Sequence, residues 1–349
     1  MSKRAVLHIG FEKTGTTSTL ATLLRSRADL AAAGILVPEV GADHTFLAAA
    51  FGRQSRAVDG READLAALAR QVEAFDGGDI LFSAESLAAM QPAGVSALAE
   101  HLSSIVTDVL VVAYVRHPVE QAASLSQQLV KSGHARLAEV DAAPRYRRYR
   151  PRLEKYVEAF GRDQVLVVPF ERAALAGGAV QRDLLTRMGR ADAQDALTLE
   201  DRNESLTTPA VVLKSLMDQA DPSLRVRRKP LSRIAGPKFA LTEEALAAAE
   251  ALGADDLLYL EAAFGMRLSD PSRRTREPLS TMFTKEVMRS IRRYGRRLEG
   301  AYRTAFAAAL EAIEDGDYHG ARFVEGGAAP PTRRRATKGR GILGLLRTR

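Results

Sequence analysis

Residues 5–18 read Ala-Val-Leu-His-Ile-Gly-Phe-Glu-Lys-Thr-Gly-Thr-Thr-Ser. The first six are an apolar run of strand length, and the periodicity of Gly15 to Leu30 is helical, so the stretch spells strand, tight loop, helix. At such a junction the free N–H groups of the first helical turn and the helix dipole make an anion site. Gly15 lets the backbone approach a ligand, Thr16 and Thr17 add hydroxyls, and Lys13 adds a full charge. The order is not that of a Walker A loop, where the lysine follows the second glycine. Here Lys13 precedes it.

Downstream, short apolar runs alternate with amphipathic stretches. Gly34–Pro38, Asp79–Phe82, Val109–Val115 and Val165–Val168 read as further strands. The stretches near 61–75, 92–104, 118–131 and 147–160 read as helices. Uniformly apolar strands suit a parallel sheet covered on both faces. The expected fold is therefore α/β: a three-layer α/β/α arrangement of the P-loop type around a central parallel sheet. After residue 180 only helices are expected, at 178–189, 207–219, 242–264 and 284–315. Arg225–Pro237 reads as a basic, proline-interrupted loop between two of them.

In open parallel sheets, ligands lie beyond the carboxyl ends of the strands. The apolar run Val109–Val115 ends in Arg116, His117 and Pro118, and the proline is pre-set to start a helix. Ser124, two turns on, faces back toward Arg116. An arginine fork with a hydroxyl suits a second phosphate; the plainer alternative is an arginine paired with a surface carboxylate.

Both stretches resemble the paired nucleotide-binding motifs of the sulfotransferases that use 3′-phosphoadenosine 5′-phosphosulfate (PAPS), in particular a bacterial branch similar to the carbohydrate sulfotransferases. The resemblance covers about residues 4–270, with Phe170-Glu171, Arg202–Ser205 and Leu257–Leu268 as later points of likeness. It implies that Lys13, Thr14, Gly15, Thr16, Thr17 and Ser18 form the 5′-phosphosulfate loop, with Lys13 at the bridging oxygen. It implies Arg116 and Ser124 at the 3′-phosphate, and transfer of a sulfuryl group to a hydroxyl of a carbohydrate or glycolipid. The glycine-rich segment that closes over the nucleotide in cytosolic members is absent; Arg225–Lys229 is the closest basic alternative.

Such a transfer needs a group to accept the hydroxyl proton. The run Asp79–Phe82 continues through Ser83 and Ala84 to Glu85, which places that carboxylate at the carboxyl edge of the sheet, between the two anion loops in strand order. His44 is the competing base, since an imidazole titrates near neutrality. Glu12, beside Lys13, is read as pointing away or as pairing with a cation, and His8 as packed in the core. Rival functions remain open at this stage: a nucleotide kinase or NTPase, and a non-catalytic nucleotide-binding protein that docks to membranes.

Composition bounds the rest. The 349 residues contain no cysteine and six scattered histidines, so no disulfide, thiol nucleophile or metal site is expected. No signal sequence or membrane-spanning run is apparent, and the expected location is the cytoplasm, with contact to the inner membrane face left open. Residues 271–349 hold 18 Lys and Arg against 8 Asp and Glu, a net of +10; residues 1–270 hold 32 against 35, a net of −3. A mildly acidic body does not present the basic face that nucleic acid requires. The expected organisation is a sulfotransferase domain at 1–270, an accessory helical segment at 271–324 and a disordered basic tail at 325–349. Arg289, Arg292, Arg293, Arg296 and Arg297 recur at helical spacing and, with the tail, could meet anionic lipid or an acidic glycan. The cluster Arg145–Arg152 reads as the solvated face of a helix.

Overall fold

The computed structural model describes residues 2–41, 43–52, 61–171, 173–200, 205–271 and 274–323. Arg202–Glu204 and the tail lie outside them. Five strands form one parallel sheet: β1 (Arg4–Ile9), β2 (Ile35–Leu36), β3 (Asp79–Ala84), β4 (Asp108–Val115) and β5 (Val165–Pro169), in the order β2-β3-β1-β4-β5. Alternate residues serve opposite faces. Ala5, Leu7 and Ile9 join Leu68, Val72, Leu98, Leu102, Leu153 and Tyr156 on one side. Val6 packs with Leu23, Leu30, Leu184 and Leu185 on the other. This is the expected α/β/α sandwich.

The order has a consequence for function. From β1 the chain moves to β2 and β3 on one side, then returns across the sheet to β4 and β5 on the other. The connections after β1 and β4 therefore diverge, leaving a crevice beyond their carboxyl ends where ligands of such sheets bind. The Lys13 loop and Arg116 are the two segments that flank it.

Three helical expectations are adjusted. The stretch 15–30 is broken at Ser26 into Thr16–Arg25 and Arg27–Ala32. The helix expected from 147 begins at Arg150, with Pro151 in its first turn. The span 284–315 is a helical hairpin, Lys285–Gly295 and Gly300–Glu314. At Gly295 a Cβ would fall 2.2 Å from the Phe306 ring, so the close return of the second helix requires glycine. The helices of 279–313 share a core with Val130, Leu137 and Val211–Met217.

Helix Glu243–Phe264 crosses the start of helix Pro118–Lys131 at Gly253, where a Cβ would lie 2.1 Å from Cβ of Pro118. Gly253→Ala sets a helix-propensity gain of about 1 kcal/mol against overpacking of about 1–3 kcal/mol. Overpacking wins because the obstacle is a proline fixed in a helix start. The variant should be less stable by about 1–2 kcal/mol in denaturant unfolding; equal or greater stability would refute the close crossing.

Candidate functional site

The loop after β1 is built for a fixed shape. Gly10 N–H donates to the Ala84 carbonyl at 3.1 Å, and a Cβ on Gly10 would overlap the Thr16 side chain at 2.2 Å. The hydroxyls of Thr14 and Thr16 both donate to the Phe11 carbonyl, at 2.8 and 3.3 Å. Thr14 is fully buried, and its hydroxyl braces the loop from within. Lys13 is the non-glycine residue with positive φ, +69°, among the described residues. That conformation costs free energy, and such strain persists where surrounding structure fixes it, commonly at ligand sites. Gly15, φ +84°, is the N-cap of Thr16–Arg25, and no side chain caps that helix. The amides of its first turn are therefore not taken by a cap. Thr17 is exposed there and Ser18 is buried.

Arg116 follows β4 directly and donates from Nε to Glu120 at 2.7 Å. That bond uses one donor of the fork. The guanidinium also lies over the Phe170 ring, 6.0 Å from its centroid. Ser124 is half-buried, one turn beyond Glu120 on the same helix face.

Two aromatic residues connect the loops. Phe170, immediately after β5, carries Arg116 on its face and would lie 3.7 Å from a Cβ on Gly15. Tyr149 is fully buried; its hydroxyl donates to the Arg116 carbonyl at 2.7 Å and accepts from the Arg116 N–H at 3.0 Å. Its ring meets Phe11 edge-on at 5.1 Å. Tyr149 is held in turn by buried Asp256, which accepts from its N–H at 2.8 Å, from Arg150 N–H at 2.9 Å and from the Tyr146 hydroxyl at 2.6 Å. The two anion loops thus open on one edge of the sheet with shared supports.

Glu85 opens helix Glu85–Ala88 straight after β3 and is solvent-exposed. Because β1 lies between β3 and β4, it flanks the Lys13 loop on the side away from Arg116, and does not lie between the two loops. Its carboxyl pKa is raised, first by the desolvation of the crowded strand end and next by Glu12; Lys13, Arg152 and Arg147 oppose the rise. Glu12 is, as expected, paired: Arg152 donates to it at 2.6 and 3.2 Å, and Arg147 approaches within 3.7 Å. The Arg145–Arg152 cluster is consequently not a uniformly solvated face, since two of its arginines turn onto the phosphate loop.

His44 does not serve as a base in this arrangement. It is fully buried; Nδ1 accepts from Ser83 N–H at 2.9 Å, which leaves Nε2 to donate to the Pro38 carbonyl at 3.3 Å. Burial lowers its pKa to about 4, and its lone pair is engaged. Instead it pins the end of β3, two residues before Glu85. His8 is buried as expected, on the Ser83 hydroxyl at 2.8 Å.

Reasoning from sequence missed Tyr149 and Asp256. Pro151 was the available signal: a first-turn proline starts the helix at Arg150 and leaves 144–149 outside it, as a loop that reaches Arg116.

No group of three His, Cys, Asp or Glu suited to a metal occurs among the described residues, and no described helix is long and apolar enough to cross a membrane. No family model matches the chain, and no curated protein matches it. Among solved structures, a sulfotransferase from Alicyclobacillus acidocaldarius is 20% identical, covering 77% of this chain and 98% of its own, with a TM-score of 0.44.

Two outcomes test the geometry. Tyr149→Phe strands the Arg116 N–H without its acceptor, costing about 1–3 kcal/mol of stability; unchanged unfolding would show the clamp to be idle. For Glu85 the folded protein holds its proton to higher pH than the unfolded chain, so stability falls as pH rises above the ordinary 4.5. Glu85→Gln should remove that fall and melt no lower than the parent at neutral pH, by thermal denaturation across acid to neutral buffers.

Proposed function

We propose that the protein is a PAPS-dependent sulfotransferase that transfers a sulfuryl group to a hydroxyl of a carbohydrate or glycolipid. The observation that carries this reading is the convergence of two anion receptors, the Lys13 loop and Arg116, on neighbouring strand ends with Phe170 and Tyr149 supporting both. A nucleotide phosphorylated at both ends of its ribose fits that pairing. The residues present suit it: an uncapped helix start, a lysine held in a strained conformation, and an arginine with one donor engaged.

When bound, the donor supplies an activated sulfur–oxygen bond whose leaving group is a phosphate. The chain's own residues do the rest. The first-turn amides of Thr16–Arg25 and the Thr17 hydroxyl hold the 5′ end, and the Lys13 ammonium offsets charge that develops on the leaving oxygen. Arg116 and Ser124 hold the 3′-phosphate, which distinguishes the donor from ATP. Glu85 accepts the acceptor hydroxyl's proton as the new sulfur–oxygen bond forms and the old one breaks. Its raised pKa makes the carboxylate a better base. Arg147 and Arg152 pair with Glu12 and so engage that neighbouring carboxylate.

Calorimetry with 3′,5′-bisphosphoadenosine in EDTA, and with Mg-ATP, separates this reading from a kinase. Tight metal-independent binding of the bisphosphate is expected; binding that requires Mg-ATP would overturn it. Lys13→Ala should lower kcat by about 10²–10³. Arg116→Ala should weaken the bisphosphate by about tenfold to a hundredfold, the value of one or two charged hydrogen bonds. Glu85→Gln should lower kcat by about 10²–10⁴ with bisphosphate affinity retained; full activity in that variant would remove Glu85 from the role of base.

A further inference from the structure

The helix that opens with Glu85 is a single turn, Glu85–Ala88. One turn does not hold itself, because its last carbonyls have no partner within it and nucleation alone is unfavourable. Water cannot serve these carbonyls either: Leu87, Ala88 and Met90 are 0, 1 and 3% exposed. Helix Arg150–Phe160 supplies the missing donors. The Tyr156 hydroxyl donates to the Leu87 carbonyl at 2.8 Å, and Lys155 Nζ donates to the carbonyls of Ala88 at 2.8 Å and Met90 at 2.5 Å.

A lysine is a costly donor at this place. Lys155 is itself buried, and that burial lowers its pKa to about 8, with Arg152 adding to the fall. A buried ammonium persists where its donors are used, and these are used on two carbonyls of one short segment. The same helix reaches the other side of Glu85. Arg152 donates to Glu12 at 2.6 and 3.2 Å, and Glu12 adjoins Lys13 in the loop after β1. Residues 152, 155 and 156 stand at i, i+3 and i+4, so they lie on one face of the helix. That face spans from the Lys13 loop to the far end of the Glu85 turn.

We infer that Lys155, with Tyr156, is the positioning group that fixes Glu85 against the Lys13 loop. Neither residue touches the reacting atoms. Arg152 sets the start of helix Arg150–Phe160 on the loop after β1, while Lys155 and Tyr156 set its next turn on the segment after β3. The two strand ends are thereby tied through a helix as well as through the sheet, and the Glu85 carboxylate is held at its crowded strand end. The consequence for turnover rests on the reading of Glu85 as the base; the placement of Glu85 does not.

The carboxyl titration of Glu85, followed by NMR on the full chain and assigned by its loss in Glu85→Gln, reads placement without any assay of transfer. In Lys155→Met two buried carbonyls lose their donor and the turn loosens, so the midpoint should fall toward the ordinary 4.5 as water reaches the carboxylate. Tyr156→Phe alters no charge and should move the midpoint the same way by less; it carries the test should Lys155→Met melt too early to titrate. A midpoint that stays put in every variant that folds would overturn the inference. So would a rise in Lys155→Met, which would report only the loss of a nearby cation. In sulfuryl transfer Lys155→Met should lower kcat by about tenfold to a hundredfold, the effect of misplacing a reacting group by about 1 Å, with affinity for 3′,5′-bisphosphoadenosine unchanged. An equal loss of bisphosphate affinity would show general loosening of the site and overturn the positioning role. A shifted titration with full turnover would uphold the placement and remove Glu85 from the role of base.

Discussion

The position of β1 between β3 and β4 is the constraint on which the site depends. A parallel strand in the middle of the sheet delivers its carboxyl end into a crevice flanked by both neighbours, and whatever follows each strand is delivered to the same edge. Lys13 follows β1, Glu85 follows β3, Arg116 follows β4 and Phe170 follows β5. Four residues separated by as many as 157 positions in the chain are thereby collected along one line without any loop longer than a turn. The sheet core is made of Val, Ile, Leu and Ala packed from both faces, so the line is as rigid as the interior that carries it.

Rigidity at the strand ends is reinforced by polar groups that the sheet alone does not provide. Asp256 accepts three hydrogen bonds from the segment Tyr146–Arg150, including the first amide of helix Arg150–Phe160. A buried carboxylate is costly unless its lone pairs are satisfied, and here they are. The helix that bears Asp256 also bears Gly253, against which Pro118 rests. One helix beyond the expected nucleotide motifs therefore fixes the second anion loop twice, through Tyr149 on the Arg116 backbone and through Pro118 at the next helix start. Helix Glu243–Phe264 therefore belongs to the architecture of the site.

Sequence made the sheet legible because its strands are buried on both faces and read as unbroken apolar runs. The strand, tight loop and helix of residues 4–25 were legible for a different reason: a glycine marks the junction between an apolar run and a helical periodicity. What escaped was tertiary. Glu85 was placed between the anion loops by its position along the chain, whereas sheet order puts β1 between Glu85 and Arg116; strand order cannot be read from strand existence. His44 has the residue type of a base, but burial and two backbone hydrogen bonds decide its role, and neither is visible in one dimension. Arg147 and Arg152 looked like solvent-facing charges, but the loop before Pro151 brings Arg147, and the first turn of helix Arg150–Phe160 brings Arg152, onto Glu12. The break at Gly295–Gly300 was marked by its two glycines, but the close contact with Phe306 that makes the first one necessary depends on the hairpin itself.

The molecule uses its cations in two physically different ways. At the sheet edge, Arg152 and Arg147 are set on Glu12 and Arg116 on Glu120, so each guanidinium is oriented before any ligand arrives. An oriented fork loses little side-chain freedom on binding and discriminates by geometry, at the expense of net charge. On helix Lys285–Gly295, by contrast, Lys285, Arg289 and Arg293 are exposed with no carboxylate held against them among the described residues, which raises local potential and fixes no geometry. Such a surface attracts any dense array of negative charge and loses its hold as salt screens it. The net of −3 over residues 1–270 against +10 beyond them is the sequence-level trace of this division.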